Sequence, residues 1–329
     1  MPDYSQPPEP DPPAVPLQRL SARGAAGERL DRFLADRLEG VSRTRIQRWI
    51  ALGAVRVEQA LRLPSYRLGG HEEVEVEPQP LESEQAFAPD PVPLEFLYRD
   101  DDLVIVDKPA GLVTHPAPGN WRHTLMNGLL HALPQTARLP RAGIVHRLDR
   151  DTSGVLVCAC SERAFVSLTA QLAARAMGRD YLAVVSGPIG DSGRIDAPIG
   201  RDPRNRLRMA VVQGAAGKPA QTEFRVLARA DGPGGPFAVL ACRLHTGRTH
   251  QIRVHLASIG HPLVGDVTYG GRPHSAIGRQ ALHAWRLRLR HPATSRMLAV
   301  AARIPADLVQ LLAALGIEPD ALALPEEAR

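Results

Sequence analysis

Three stretches in the second half of the chain alternate apolar with polar side chains: "AQTEFRVLA" (220–228), "FAVLACRL" (237–244) and "AWRLRLR" (284–290). A period of two sends successive side chains to opposite faces, so such runs fold as strands with one face half exposed. Long regular alternation of strand and helix is missing, and a parallel doubly wound sheet needs a crossover helix after nearly every strand. The expected class is therefore α+β: a mixed, largely antiparallel central sheet with peripheral helices, preceded by a small α/β module. "DDLVIVDKPAG" (101–111) reads as a strand entering a Lys-Pro turn, and "YLAVVSG" (181–187) as another strand. Ile144 and Val145 read as the end of a strand, and Val155–Val157 as the start of the next. Helices are expected at "HTLMNGLLHAL", with Leu125, Leu129 and Leu130 on one side, and from Ser161 to Ala176, carrying Phe165, Leu168 and Leu172. A last helix, "ADLVQLLAALGI", is ended by Gly316.

A chain of 329 residues is long for a single core. The acid- and proline-rich stretch around 79–92 reads as a linker, separating a module at 19–78 from a larger domain at 93–322. The proline-rich residues 1–18 and the end 323–329 read as tails without folded structure. In the small module, Leu30, Phe33, Leu34 and Leu38 have helical spacing, and Gly40 and Ser42 break and restart the pattern. Ile46, Trp49 and Ile50 form a second apolar stripe, Gly53 ends it, and "AVRV" and "HEEVEVE" read as short strands.

The formal charge of +5 permits nucleic-acid binding without requiring it, so the distribution of arginine matters more than the total. Arg43, Arg45 and Arg48 sit on or beside the outer surface of the second helix, and "RIDAPIGRDPRNRLR" (194–208) is a basic loop. Arg248 and Arg253 lie in "LHTGRTHQIRVH", and alternation places Arg286, Arg288 and Arg290 on one side of a strand. Together these segments are expected to build a positive surface for phosphates; each alone is more commonly a solvated face or a local ion pair. No apolar run has the length of a membrane span, and the expectation is a cytoplasmic protein. Cys158, Cys160 and Cys242 read as buried, reduced thiols, because C-x-C supplies only half a zinc site. "GAAGK" lacks the spacing of a phosphate-binding loop, and His146, His245, His250 and His255 form no metal signature. No cofactor and no metal are expected.

In "GIVHRLDRDTSGVLV" (143–157), Asp149 stands among arginines and a second acid between two apolar runs. It is either part of a surface turn held by salt bridges or a nucleophile in a basic cleft built for a phosphate-rich partner.

This stretch resembles the His-Arg-Leu-Asp signature of the RNA pseudouridine synthases of the large-subunit ribosomal RNA class. "LVIVDKPAGLVTHPAPGN", "GRDYLAVVSG", "HTGRTHQIRVHLASIGHPLVGDVTYGG" and "RQALHAWRLRLRHP" extend the resemblance in the family's order over roughly Pro93 to Pro305. "LDRFLADRLEGVSRTRIQRWIALGAVRV" is similar to the S4-like RNA-binding domain that this branch carries, although Glu58 and Gln59 stand where the family has Asn-Gly. The resemblance implies an enzyme that isomerises uridine to pseudouridine. It makes Asp149 the essential carboxylate, Tyr181 the ring packed on the displaced base, and Arg253 the cation that keeps Asp149 ionised. It gives Arg147 the displacement of the target nucleotide; Arg43, Arg45, Arg48 and Arg248, in the basic segments, are expected as further RNA contacts. The implied partner is large-subunit ribosomal RNA or its assembly precursor, bound by a monomer without an obligate protein partner. Asp149 can attack C1′, take a proton from C2′, or attack C6 of the base, and these routes stay open. A transfer-RNA substrate and a non-catalytic ribosome-assembly factor are the alternatives.

Overall fold

A computed structural model describes residues 16–79, 84–117, 119–205, 208–232 and 235–322. Most of the expected N-terminal tail and all of 323–329 lie outside the described residues. Packing divides the chain into two units, 1–84 and 85–329.

The first unit contains β1 (Gln18–Ser21), α1 (Leu30–Arg37), α2 (Arg43–Ala51), β2 (Val55–Val57) and β3 (Glu73–Val76). The strands pair antiparallel in the order β1-β3-β2. β1 begins inside the stretch read as a tail, and its single apolar residue, Leu20, leaves no alternation to detect. Phe33, Leu34, Ile46, Trp49 and Ile50 from the helices close on Val55, Val57, Val74 and Val76. Ser42 caps α2 by accepting the Arg45 N–H at 3.3 Å. Buried Asp31 then ties the helices together, accepting from Arg29 (3.1 Å), Gln47 (2.7 Å) and Arg43 (2.9 Å). The Arg29 hydrogen bond, with help from Gln47 and Arg43, outweighs burial and holds the Asp31 carboxyl well below the usual range. Arg43 is exposed, as expected for the outer surface of α2, and also pairs with this internal anion.

Glu58 and Gln59 both adopt left-handed backbone (φ +48° and +65°), the conformation that Asn-Gly adopts readily. Such residues cost about 1–2 kcal/mol each, and here the Glu58 carboxylate accepts the Glu73 N–H at 2.6 Å. The neighbouring Glu72 accepts three backbone N–H groups, from Gly69 (2.6 Å), Gly70 (2.9 Å) and His71 (3.1 Å). The Gly69 contact is the largest influence, and with the backbone N–H groups of Glu72 itself, His71 and Gly70 it brings Glu72 down to about 2 against the opposing pull of burial. The folded value lies below the unfolded one, so the stabilisation is complete above the unfolded pKa and disappears as pH falls through about 2. Glu72→Gln is expected to flatten the acid limb of a pH-dependent melting curve for this unit. An unchanged limb would show that the turn does not depend on the charge.

The second unit runs β4 (Glu95–Arg99), β5 (Leu103–Lys108), α3 (Leu125–Ala132), β6 (Ser153–Ala159), α4 (Glu162–Ala173), β7 (Gly178–Ser186) and β8 (Ser192–Asp196). It continues with β9 (Ile199–Arg201), β10 (Met209–Val211), β11 (Gln221–Gly232), β12 (Gly235–Leu244), α5 (Gln251–Ser258), β13 (Leu282–Arg290), β14 (Met297–Ala301) and α6 (Ala306–Ala314). The central sheet has the order β4-β5-β6-β13-β7-β12-β11-β8, with β14 beside β13, while β9 and β10 form a separate ribbon. Only β6 and β13 run parallel among the described strands, so the α+β architecture with a largely antiparallel sheet is the one observed.

β12 differs from the half-exposed pattern because both of its faces are covered, as are those of β7 beside it. Tyr181, Ala183 and Val185 enter the core shared with β5, β6 and α3. Leu182, Val184 and Val239 enter a second core with Trp285 and with Leu308, Leu311 and Leu312 of α6. Cys158, Cys160 and Cys242 are buried in the first core, and burial pushes Cys160 to about 11 and Cys242 to about 12. The row of arginines on β13 is not a free basic stripe either. Arg286 (3.1 Å) and Arg288 (3.3 Å) turn onto Asp180, which also accepts from Arg243 at 2.9 Å. Within the stretch read as a linker, the carbonyls of Ala86 (3.0 Å) and Ala88 (2.8 Å) accept from Asn127 of α3.

Candidate active site

The segment before Asp149 departs from the expected strand. Arg141, Ala142 and Gly143 are successively left-handed (φ +54°, +50° and +78°), and Ile144 makes a single bridge to Cys158. A side chain at Gly143 would fall on the Ala159 carbonyl. This sharp path delivers His146, whose Nε2 accepts the Val157 N–H at 3.1 Å. Burial, aided by the Arg179 charge, holds the His146 ring neutral at a pKa of about 3.

The loop carrying Asp149 is fixed through its carbonyl groups. Thr114 donates to the Leu148 carbonyl (2.8 Å), buried Lys108 to that of Arg150 (2.9 Å), and Arg279 to that of Asp151 (3.0 Å). Lys108 also holds the carbonyls of Pro109 and Leu112, both at 2.8 Å, and so joins the Lys-Pro turn to the Asp149 loop. Burial lowers Lys108 to about 7, and the charges of Asp149 and Asp151 oppose that shift. Arg279 is itself held by Asp307 at 2.7 Å. The loop then enters β6, where a side chain at Gly154 would collide with the Ala284 carbonyl of β13.

Asp149 thus sits on a rigid support, with its carboxylate 15% exposed. Its Oδ2 accepts Nη1 of Arg253, from α5, at 3.2 Å. The rest of that guanidinium is clamped by Asp266, which accepts Nε at 2.7 Å and Nη2 at 2.9 Å. Burial alone would lower Arg253, but the Asp266 hydrogen bonds and charge, joined by Asp149, raise it above its ordinary value. Tyr269 lies 5.0 Å below the guanidinium and bonds Nδ1 of His250 at 2.8 Å. The other His250 nitrogen is 4.0 Å from Asp149. Burial keeps the His250 pKa low despite that carboxylate, so a neutral ring borders the acid.

Tyr181 stands on β7 and is buried. Burial pushes its hydroxyl up to about 12, with the Asp149 charge adding to the shift and Arg179 opposing it. The fold therefore brings Asp149 and Arg253 into contact and places Tyr181 within electrostatic reach of the same carboxylate, although 104 residues separate the first two.

Arg147 is exposed beside His115 and His250, and among the described residues it has no hydrogen bond or ion pair. Arg248 is exposed and donates to the Pro219 carbonyl at 3.1 Å. Arg45 stacks over Trp49 at 5.0 Å and donates to the Gln79 carbonyl at 3.0 Å, while Arg48 is exposed. Among the described residues, no group of three or more His, Cys, Asp or Glu is arranged to hold a metal.

Sequence reading missed Asp266, Tyr269 and Lys108 as parts of this site. Asp266 carried one signal, its frame of glycines in "GDVTYGG". A side chain at Gly265 would strike the Arg279 carbonyl, and one at Gly271 the Leu263 carbonyl. Both glycines are needed for the turn that aims Asp266.

The sequence model for RNA pseudouridylate synthase matches residues 102–258, and that for the S4 domain matches 28–74. A ribosomal large subunit pseudouridine synthase D from Nitrosomonas europaea is 47% identical over 298 residues, covering 88% of this chain and 85% of the relative. The protein of that name from Xanthomonas campestris pv. campestris is 44% identical over 311 residues, covering 91% and 92%. Among solved structures, human RNA pseudouridylate synthase domain containing 1 superposes with a TM-score of 0.52 at 30% identity, over 66% of this chain and 85% of that one.

Proposed function

We propose that this chain, which belongs to the RNA pseudouridylate synthase family, isomerises uridine to pseudouridine in large-subunit ribosomal RNA. The observation that carries the chemical reading is the Asp149 carboxylate, partly open and fixed 3.2 Å from a buried guanidinium. The substrate follows from relatives named for the large ribosomal subunit, whose likeness spans both units of this chain.

In this reading the bond from C1′ to N1 breaks, the uracil turns within the site, and C5 bonds to C1′. Asp149 acts on the ribose or the base as nucleophile or base. Arg253 holds the carboxylate in one orientation, and Asp266 holds Arg253. Tyr181 offers a ring face to the confined uracil, its high pKa keeping the phenol neutral at physiological pH. Arg147, exposed and unpaired among the described residues, enters the helix in place of the flipped nucleotide. Residues 19–78 act as the S4-like RNA-binding domain, 79–92 as the linker and 93–322 as the catalytic domain. Arg43, Arg45, Arg48 and Arg248 contribute phosphate contacts, and Arg43 also braces α2 through Asp31. The enzyme works as a monomer in the cytoplasm, without cofactor.

The test is incubation of the purified chain with unmodified large-subunit ribosomal RNA and, separately, with unmodified transfer RNA, followed by site-resolved mapping. Pseudouridine in the ribosomal RNA alone is expected. Modification confined to transfer RNA would overturn the substrate, and tight binding without any product would favour the assembly-factor alternative.

A further inference from the structure

One cation beside Tyr181 has no part in the chemistry above. Arg179 lies on β7 two residues before Tyr181, so the two side chains leave the same face of the strand. Met177, Ala183 and Val185 continue that face into the apolar core. Arg179 is only 7% exposed, its Nε is sealed from solvent without an acceptor, and among the described residues no hydrogen bond or ion pair engages it. Asp180, the adjacent acid, points to the opposite face and is occupied by Arg243, Arg286 and Arg288.

The surroundings of Arg179 belong to the site. Nη1 packs so closely on Gly247 that a Cβ there would lie 2.7 Å away. Gly247 opens the turn that leads into α5, the helix that carries Arg253. The Arg179 charge also reaches Tyr181 and the buried ring of His146. A guanidinium in such a position is costly without a counter-ion, and a fold that keeps one needs an anion to arrive.

The reaction generates an anion next to Tyr181. On the two routes through the ribose, C1′–N1 breaks with the electron pair departing on uracil, which becomes an anion shared among N1, O2 and O4. C1′ is meanwhile held by the Asp149 carboxylate or carried as a glycal. C5 then supplies the pair that bonds to C1′ as the ester bond to Asp149 breaks or C2′ takes back its proton from Asp149; the C5 proton leaves and N1 is reprotonated, so atoms and charge balance. We propose that Arg179 binds the detached uracil in its anionic form and keeps it against Tyr181 while it turns to present C5. A backbone phosphate is the less favoured ligand, because Arg179 shares a buried strand face with Tyr181, while Arg147 is open to solvent. The inference rests on the reaction proposed above.

Arg179→Met and Arg179→Lys test it by single-turnover kinetics at saturating RNA, with RNA affinity and melting temperature measured alongside. The Met variant is expected to react about 100-fold more slowly with Kd changed by less than about threefold. Its melting temperature should be no lower than wild type, since the lost charge had no partner. The Lys variant should recover part of the rate. With 5-fluorouridine at the target position the base leaves more easily, and the penalty on bond cleavage in either variant should shrink to below about tenfold. A penalty equal for both bases, or an unchanged rate, would overturn the proposal. So would a loss confined to Kd, which would reassign Arg179 to a phosphate. Active wild type with an unimpaired Met variant refutes this inference alone; wild type that makes no pseudouridine removes the proposed function and this inference together.

Discussion

Asp149→Ala is expected to bind substrate RNA within about threefold of wild type and to form pseudouridine at least about 10⁴-fold more slowly, the scale on which loss of an essential reacting group registers. The two effects separate because of how the site is built. RNA affinity comes from arginines spread over several segments, and Asp149 adds a negative charge to that surface, so its removal does not weaken attraction to phosphate. The fold is also insulated from the change. Arg253 loses one hydrogen bond at 3.2 Å but keeps two from Asp266, at 2.7 and 2.9 Å. The carbonyl contacts from Thr114, Lys108 and Arg279 all go to the backbone of the loop and remain in place. A change in stability of about 1 kcal/mol is therefore expected. Parallel loss of binding and activity would show that Asp149 organises the loop and is not a chemical group.

The second large effect belongs to Asp266, which contributes to the site only through Arg253. Asp266→Ala removes both of its hydrogen bonds to the guanidinium and leaves a buried cation with Asp149 as its sole acid partner. Breaking a buried pair from one side costs about 3–5 kcal/mol, so a marked fall in melting temperature is expected. The rate should fall by about 10²–10³-fold, because the guanidinium can then swing toward Asp149 and pair with it in place of the reacting nucleotide. Asp266→Asn, which keeps one acceptor, should recover part of both losses. A drop in stability without a change in the rate of the folded fraction would make Asp266 a purely structural clamp.

The strand alternation and the α+β class were legible in the chain because a half-buried sheet writes a period of two into its sequence. The coverage of β12 was not, because α6 packs on its second face from more than sixty residues away, and "FAVLACRL" holds no sign of it. β1 was missed because a four-residue strand with one apolar side chain shows no period. The arginines illustrate a further limit. Composition counts Arg43, Arg286 and Arg288 as basic surface, and their engagement with Asp31 and Asp180 depends on contacts that no local pattern encodes. At the site, the resemblance pointed to Asp149, Tyr181 and Arg253, and the structure gathers them. Asp266 and Arg179 stayed hidden for opposite reasons. Asp266 matters through a partner thirteen residues earlier, whereas Arg179 stands out by having no hydrogen-bond or ion-pair partner among the described residues, which only a folded structure reveals.

The most direct test replaces the native gene in cells by this chain, wild type or Asp149→Ala, and maps pseudouridine across the large-subunit ribosomal RNA at single-nucleotide resolution. The wild-type chain should produce pseudouridine at defined positions, and those same positions should remain uridine with the Ala variant although it is folded and RNA-bound. Equal modification by both chains would contradict the account, since a carboxylate at residue 149 would then be dispensable for the chemistry.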